Sequence, residues 1–233
     1  NKEFLDEWHG KLIEVIDKYD PDFIWFDSPL EGIRKDVYQK DFLAYYYNKS
    51  VERGKEVLMA YKVHDFPPGV GLENSGGKNK LTYHEWMSAP SVDDPPTWSY
   101  TEDANFRSVN ALVDDLVNRV SMNGFLLLNV GPKPDGTIPE EAKKRLLGIG
   151  EWLKVNGEAI YGTTAWIRHG EGPSAMSDLV WKWAPVVGGT TEQSKEVQHT
   201  GPDIRFTVKD NVIYAISLDW PGDKVTIKFL AGV

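Results

Sequence analysis

Residues 121–157 read SMNGFLLLNVGPKPDGTIPEEAKKRLLGIGEWLKVNG. Gly124 is a natural stop for a helix arriving from upstream. The run Phe125-Leu126-Leu127-Leu128-Asn129-Val130 follows. It is apolar without alternation, as a strand buried on both faces of a parallel sheet reads. Asp135-Gly136 is a turn signal. Thr137 with Glu140 three positions later is a capping-box pattern, with Pro139 in the first helical turn. A helix is expected from there to about Asn156, stopped by Gly157. The stretch is therefore one strand-to-helix unit of an α/β sheet.

The same unit recurs upstream. Phe106, Val109, Leu112, Val113, Leu116, Val117 and Val120 mark one apolar helix face. Residues 57–61 form a short apolar strand, preceded by a helix over 37–54 that ends at Gly54. Phe23-Ile24-Trp25-Phe26 is another apolar strand, stopping abruptly at Asp27. Leu5, Trp8, Leu12, Ile13 and Ile16 place an amphipathic helix before it, ended by Pro21. A Gly/Pro-rich stretch, residues 65–80, reads as a long functional loop. Alternation of helix and strand to about residue 165 is the signature of a parallel sheet. Beyond it, residues 181–183, 204–208, 212–218 and 225–229 read as antiparallel strands. Residues 170–177 read as a linker, which puts the domains at 1–168 and 169–233. A closed (β/α)₈ barrel takes about 250 residues. The sheet is thus a smaller open one, or the first half of a barrel is absent. The final strand reaches Val233 with no closing pattern, so the β domain is expected to be truncated.

Composition narrows the function classes. The 233 residues carry a net charge of −9 and no basic footprint, which argues against nucleic acid as a partner. No apolar run approaches the roughly 20 residues of a membrane span, and the polar opening is no signal peptide. The absence of Cys excludes disulfides, thiolate nucleophiles and Cys-ligated zinc. Nine Trp and ten Tyr suit a protein that stacks rings on sugars, and equally suit a large aromatic core.

Asp27 ends an apolar strand, where barrel enzymes place catalytic groups. Its carboxylate fits a nucleophile or an acid/base, and equally a strand-end cap. Glu73 lies among glycines in the long loop and is a candidate general acid, with Glu85 as rival. Both also read as solvated carboxylates. His64 and His84 suit hydrogen bonding; a metal site needs three or four spaced ligands, and no such cluster is visible. Trp98 and Tyr100 could line a sugar pocket or fill a core. Asn48-Lys49-Ser50 matches a glycosylation sequon on a predicted helix.

Residues 121–139, with Gly148-Ile149-Gly150-Glu151-Trp152-Leu153 and Asn156-Gly157-Glu158-Ala159-Ile160-Tyr161-Gly162-Thr163, resemble the α-L-fucosidases of glycoside hydrolase family 29. Tyr19 to Asp27 looks like that family's nucleophile strand, and Trp98-Ser99-Tyr100 is similar to its Trp-Gly-Tyr element. Asp203-Ile204-Arg205-Phe206-Thr207 and Tyr214-Ala215-Ile216 look like the start of its β-sandwich. The resemblance implies the second half of a (β/α)₈-like TIM barrel, followed by an antiparallel β-sandwich. On that resemblance, an N-terminal half-barrel absent from this sequence is expected in the intact protein.

The implied chemistry is retaining hydrolysis of terminal α-L-fucosyl residues, with Asp27 as nucleophile and no cofactor or metal. The paired carboxyls should stand about 5–5.5 Å apart. The acid/base pattern departs from the family. Counted back from Trp86, the loop Glu of some relatives falls on Asn74, one residue after Glu73; the Trp-Glu pair of others is here Trp86-Met87. Glu73 is the first expectation and Glu85 the second. Trp25, His64, Trp86, Trp98 and Tyr100 are the expected sugar-binding residues. The partner implied is a fucosylated oligosaccharide or polysaccharide, and the location secreted, periplasmic or lysosomal. Two other readings compete: a carbohydrate-binding protein that has lost catalysis, and a fragment inactive without its N-terminal half.

Overall fold

A computed structural model describes residues 2–27, 35–62, 66–74, 81–94, 97–174 and 198–232. The chain divides into two compact units, Asn1–Ser75 and Gly76–Val233.

In the first unit, α1 (Lys2–Tyr19) leads to β1 (Phe23–Phe26), α2 (Lys35–Arg53) to β2 (Leu58–Lys62), and β3 (Leu72–Asn74) follows. The strands are parallel, with Phe26 opposite Tyr61 and Tyr61 opposite Glu73. Ile16 of α1 and Phe42 and Tyr46 of α2 bury against Phe26, Met59 and Tyr61, with Ile24 packed beside them. The helices therefore cover the Ile24/Phe26 face of β1. Trp25 and Asp27 fall on the other face, because side chains alternate along a strand. The end of α1 is closed by cations from the far end of α2: Arg53 Nη1 donates to the Ile16 carbonyl at 2.9 Å, and Lys55 Nζ to that of Asp20 at 2.6 Å. Cations there also match the negative end of the helix dipole. The Tyr46 hydroxyl donates to the Pro21 carbonyl at 2.9 Å, and burial pushes its pKa up to about 12.

The long loop expected over 65–80 contains β3. Gly71 makes this possible, since a Cβ there would stand 2.6 Å from the Met59 carbonyl oxygen. Only glycine lets β3 approach β2 so closely.

The second unit opens with β4 (Trp86–Ser88). Next come α3 (Val109–Ser121), β5 (Gly124–Leu126) and α4 (Glu140–Asn156). β4 and β5 are parallel. β6 (Thr164–Glu171), β7 (Ile204–Lys209) and β8 (Val212–Ser217) form an antiparallel sheet. Leu112, Val113 and Val117 of α3 bury with Ile149 of α4 and with Ile160 and Leu218. α3 is thus the hub between α4 and the sheet. Ser108 caps it, accepting a hydrogen bond from the Ala111 amide at 3.1 Å. Its buried Asp115 takes two arginines: Arg107 Nη1 at 2.9 Å and Arg119 Nη1, whose Nε donates to Ser88 on β4.

Several local expectations change. The capping box does not form: the Thr137 amide and hydroxyl both donate to Asp135 Oδ1, at 2.9 and 2.7 Å, and Pro139, with no side-chain acceptor, takes the N-cap position. These bonds hold the Asp135 carboxyl below its ordinary pKa. The 125–130 run keeps regular pairing only to Leu126, then continues as single contacts. The Leu127 amide reaches the Ser88 carbonyl at 2.9 Å, and that of Asn129 reaches Pro90 at 2.8 Å. Nor is the run buried on both faces, since Phe125 and Leu127 are 49% and 42% exposed.

Residues 225–229 are not a strand. The amides of Lys228 and Phe229 donate to the Glu171 carboxylate at 2.9 and 3.0 Å, and Phe229 lies under the Arg168 guanidinium, 4.3 Å from it. The linker expected from residue 170 begins inside β6, which runs through the 168/169 boundary. The strand expected at 181–183 lies outside the described residues. The sequon hydroxyl of Ser50 is buried within α2 and donates to the Tyr47 carbonyl at 2.8 Å.

A Cβ on Gly124 would stand 2.5 Å from the Trp86 ring, whereas one on Gly150 in α4 meets nothing within 4 Å. Gly124→Ala is expected to cost about 1–3 kcal/mol, and Gly150→Ala to gain up to about 1 kcal/mol, both read from urea midpoints. Asp115→Ala, which leaves the buried Arg119 and the half-buried Arg107 without their carboxylate, is expected to cost about 3–5 kcal/mol by the same measurement.

Candidate active site

The strand register of the first unit assembles the candidate site. Asp27 follows Phe26 directly, and Lys62 follows Tyr61. These two residues close adjacent parallel strands at their C-terminal ends, and Lys62 Nζ stands 2.7 Å from Asp27 Oδ1. The Asp27 side chain is 65% exposed and that of Lys62 37%, so the pair adds little to stability. Its effect is geometric. A charge-assisted bond to one carboxylate oxygen leaves the other free to face a ligand.

Asn74 pairs with Lys62 in the register and shares the face of Asp27. It is buried. Glu73 pairs with Tyr61 and so lies on the helix-covered face with Phe26. Its charge is felt there: burial first, and then Glu73, raise the Tyr61 hydroxyl above its ordinary pKa. Glu73 therefore shares the C-terminal end of the strands with Asp27 but belongs to the opposite face. Trp25 lies on the Asp27 face two residues earlier, opposite Ala60, and its indole nitrogen is buried with no hydrogen-bond partner among the described residues. His64 lies outside the described residues.

The remaining sequence candidates belong to the second unit. Glu85 is exposed and precedes β4, at that strand's N-terminal end. Catalytic groups of parallel barrels gather at the other end. Trp86 is buried, donating its indole N–H to the Met122 carbonyl at 3.1 Å, with its ring against Gly124. It packs the interior and presents no open face to a sugar. Trp98 is 48% exposed and has a φ of 52°. A bulky residue in the left-handed region is strained, and such strain concentrates at functional sites. Its indole N–H donates to the Ala89 carbonyl at 3.2 Å. Tyr100, half-buried, follows two residues on. His84 is exposed and edge-on to Tyr83. Among the described residues, no three His, Asp or Glu side chains gather as a metal site requires. No described helix is long and apolar enough to cross a membrane.

Sequence reasoning missed Lys62 and the position of Asn74. The signal for Lys62 was present: opposite charges stand immediately after two apolar runs that become neighbouring strands. Asn74 could be placed only once β3 was known to be a strand.

The sequence pattern of the alpha-L-fucosidase family matches residues 1–158. A tissue alpha-L-fucosidase of Rattus norvegicus is 29% identical over 222 residues, covering 92% of this chain and 42% of its own length. A plasma alpha-L-fucosidase of Pongo abelii is 32% identical over 225 residues, covering 91% and 41%. Among solved structures, the Thermotoga maritima alpha-fucosidase superposes with a TM-score of 0.67 at 32% identity, over 92% of this chain and 42% of that one. The chain thus spans less than half the length of these relatives. With the family pattern running through both strand units and the candidate site, this chain belongs to the α-L-fucosidase family.

Proposed function

We propose that this chain supplies the nucleophile part of a retaining α-L-fucosidase, with Asp27 attacking the anomeric carbon of a terminal fucosyl residue. The observation that carries the reading is the placement of Asp27. It ends a parallel strand on the face the helices leave open, with one oxygen held by Lys62. In the first step the free oxygen forms a glycosyl ester as the leaving oxygen is protonated; in the second, water cleaves that ester with retention. Lys62 fixes which oxygen attacks. A fucose complex of the Thermotoga maritima relative supports the substrate class. Trp25, Trp98 and Tyr100 are the proposed sugar-contacting aromatics.

The acid/base is assigned to Glu73, the carboxylate at the catalytic end of its strand, ahead of Glu85 at the opposite end of β4. Glu73 must reach around the end of β3 to serve Asp27. The register also supports a second reading: the residue on the Asp27 face of β3 is an amide, Asn74, which cannot act as a carboxylic acid. On that reading the protein binds fucosides and hydrolyses them poorly.

The rest of the barrel belongs to the proposal. Further strands would cover the exposed Phe125 and Leu127 and complete a (β/α)₈-like barrel ahead of the sandwich. A secreted, periplasmic or lysosomal location is part of the same reading.

Aryl α-L-fucoside hydrolysis by the full-length protein tests it. Asp27→Asn is expected to lose activity on the order of 10³–10⁵-fold; unchanged activity refutes the nucleophile. Glu73→Ala is expected to lower kcat about 10²–10⁴-fold, with rescue by azide. If Glu73→Ala is silent and Asn74→Glu raises turnover, the second reading replaces the first.

A further inference from the structure

Away from the candidate site, the second unit buries a polar cluster where α3 meets the antiparallel sheet. Arg205 on β7 is fully buried; its Nε donates to Asn118 Oδ1 of α3 at 2.5 Å, and its Nη2 to the Ser174 hydroxyl at 3.0 Å. Ser174 Oγ lies 2.9 Å from His199 Nδ1. On the far side of that ring, Nε2 stands 4.0 Å from Asp114 Oδ2 of α3, with both side chains under one-tenth exposed. Asp114 also accepts from Asn110 at 3.0 Å. Asp203, beside β7, accepts from the amides of Ser174 and Thr200 and from the Thr200 hydroxyl, and its carboxylate is a second acceptor within reach of the Ser174 hydroxyl.

Hydrogen counting makes this cluster sensitive to one proton. The Ser174 hydroxyl has one hydrogen and two acceptors, His199 Nδ1 and the Asp203 carboxylate. With His199 neutral and protonated on Nε2, the hydroxyl donates to Nδ1, and Nε2–H points toward Asp114. If His199 takes a second proton, Nδ1 becomes a donor and the hydroxyl must turn to Asp203. Two cations, His199 and Arg205, then share a buried site.

We propose that His199 is an acid-sensing clasp: its neutral imidazole, bonded through Ser174 and Arg205 to Asn118, ties the segment beside β7 to α3, and its protonation loosens that junction. Burial first, and then the Arg205 charge, hold His199 below its ordinary pKa, with Asp203 opposing in part. Because the folded pKa lies below the unfolded value of about 6.5, the unfolded chain binds this proton first. The stabilisation is therefore complete above about pH 6.5 and is lost as pH falls through the window below it. The inference does not depend on the hydrolase reading.

The test is thermal melting of the full-length protein from about pH 8 to about pH 5, wild type beside His199→Gln. The wild type is expected to lose several degrees more than the variant on acidification, the difference opening below about pH 6.5. Parallel curves overturn the proposal, as does a wild type that gains relative to the variant, which would mean that Asp114 stabilises the imidazolium. NMR titration of the wild-type His199 ring covers the case of a variant that fails to fold. A midpoint below about 6.5, with faster amide exchange in α3 on acidification, is expected; a midpoint above it refutes the clasp.

Discussion

The register of β1, β2 and β3 is the constraint on which the candidate site depends. Parallel pairing puts Phe26, Tyr61 and Glu73 in one row, and Asp27, Lys62 and Asn74 in the next. Adjacent rows face opposite sides of the sheet. The helices settle which side is which, because Ile16, Phe42 and Tyr46 bury the Phe26 row. Asp27 is thereby turned to the open side with a lysine at hand. A shift of one residue in β1 or β2 would turn that strand's side chains to the opposite face and remove the ion pair, and one in β3 would exchange Glu73 and Asn74. Gly71 guards that register where β3 touches β2, since any side chain there would collide with Met59.

The second unit solves a different problem. α3 contacts both α4 and the antiparallel sheet, and its buried positions include Asp114, Asp115, Asn118 and Arg119 as well as leucine and valines. Buried charge destabilises a fold unless each group finds its partner. Here Asp115 answers two arginines, and Asn118 answers a third from β7. The polar side of α3 thus sets the angle at which the sheet can dock, while its apolar side supplies the burial. Such pairing fixes one arrangement, and it also leaves His199 where a single proton matters.

Much of this was legible in the sequence. The four α-helices, the strands β1, β2 and β5, the parallel character of the first part and the antiparallel pair β7–β8 follow from apolar periodicity, whereas β4 and β6 were not read as strands. Asp27 was legible because a carboxylate abruptly ends a wholly apolar run. What escaped depended on contacts distant in the chain. β3 is three residues inside a glycine-rich stretch, too short for periodicity, and exists because Gly71 fits against Met59. Thr137 and Glu140 have the spacing of a capping box, but Asp135 competes for the threonine and wins. Residues 225–229 have β-forming side chains, yet Glu171 takes the amides a ladder would need. Trp86 resembles a sugar-stacking ring until the absence of a side chain at Gly124 gives it a place in the interior. The Glu73–Asn74 offset looks minor along the chain; on a strand it is the difference between two faces.

The most direct test of the central claim is covalent trapping. Full-length protein would be incubated with an activated 2-deoxy-2-fluoro-fucoside, which slows hydrolysis of the glycosyl ester, then digested and mapped by mass spectrometry. The account predicts one added fluorofucosyl group, attached to the peptide carrying Asp27 and absent from an Asp27→Asn protein. A label on a different carboxylate, or turnover of the reagent with Asp27 replaced, would contradict it.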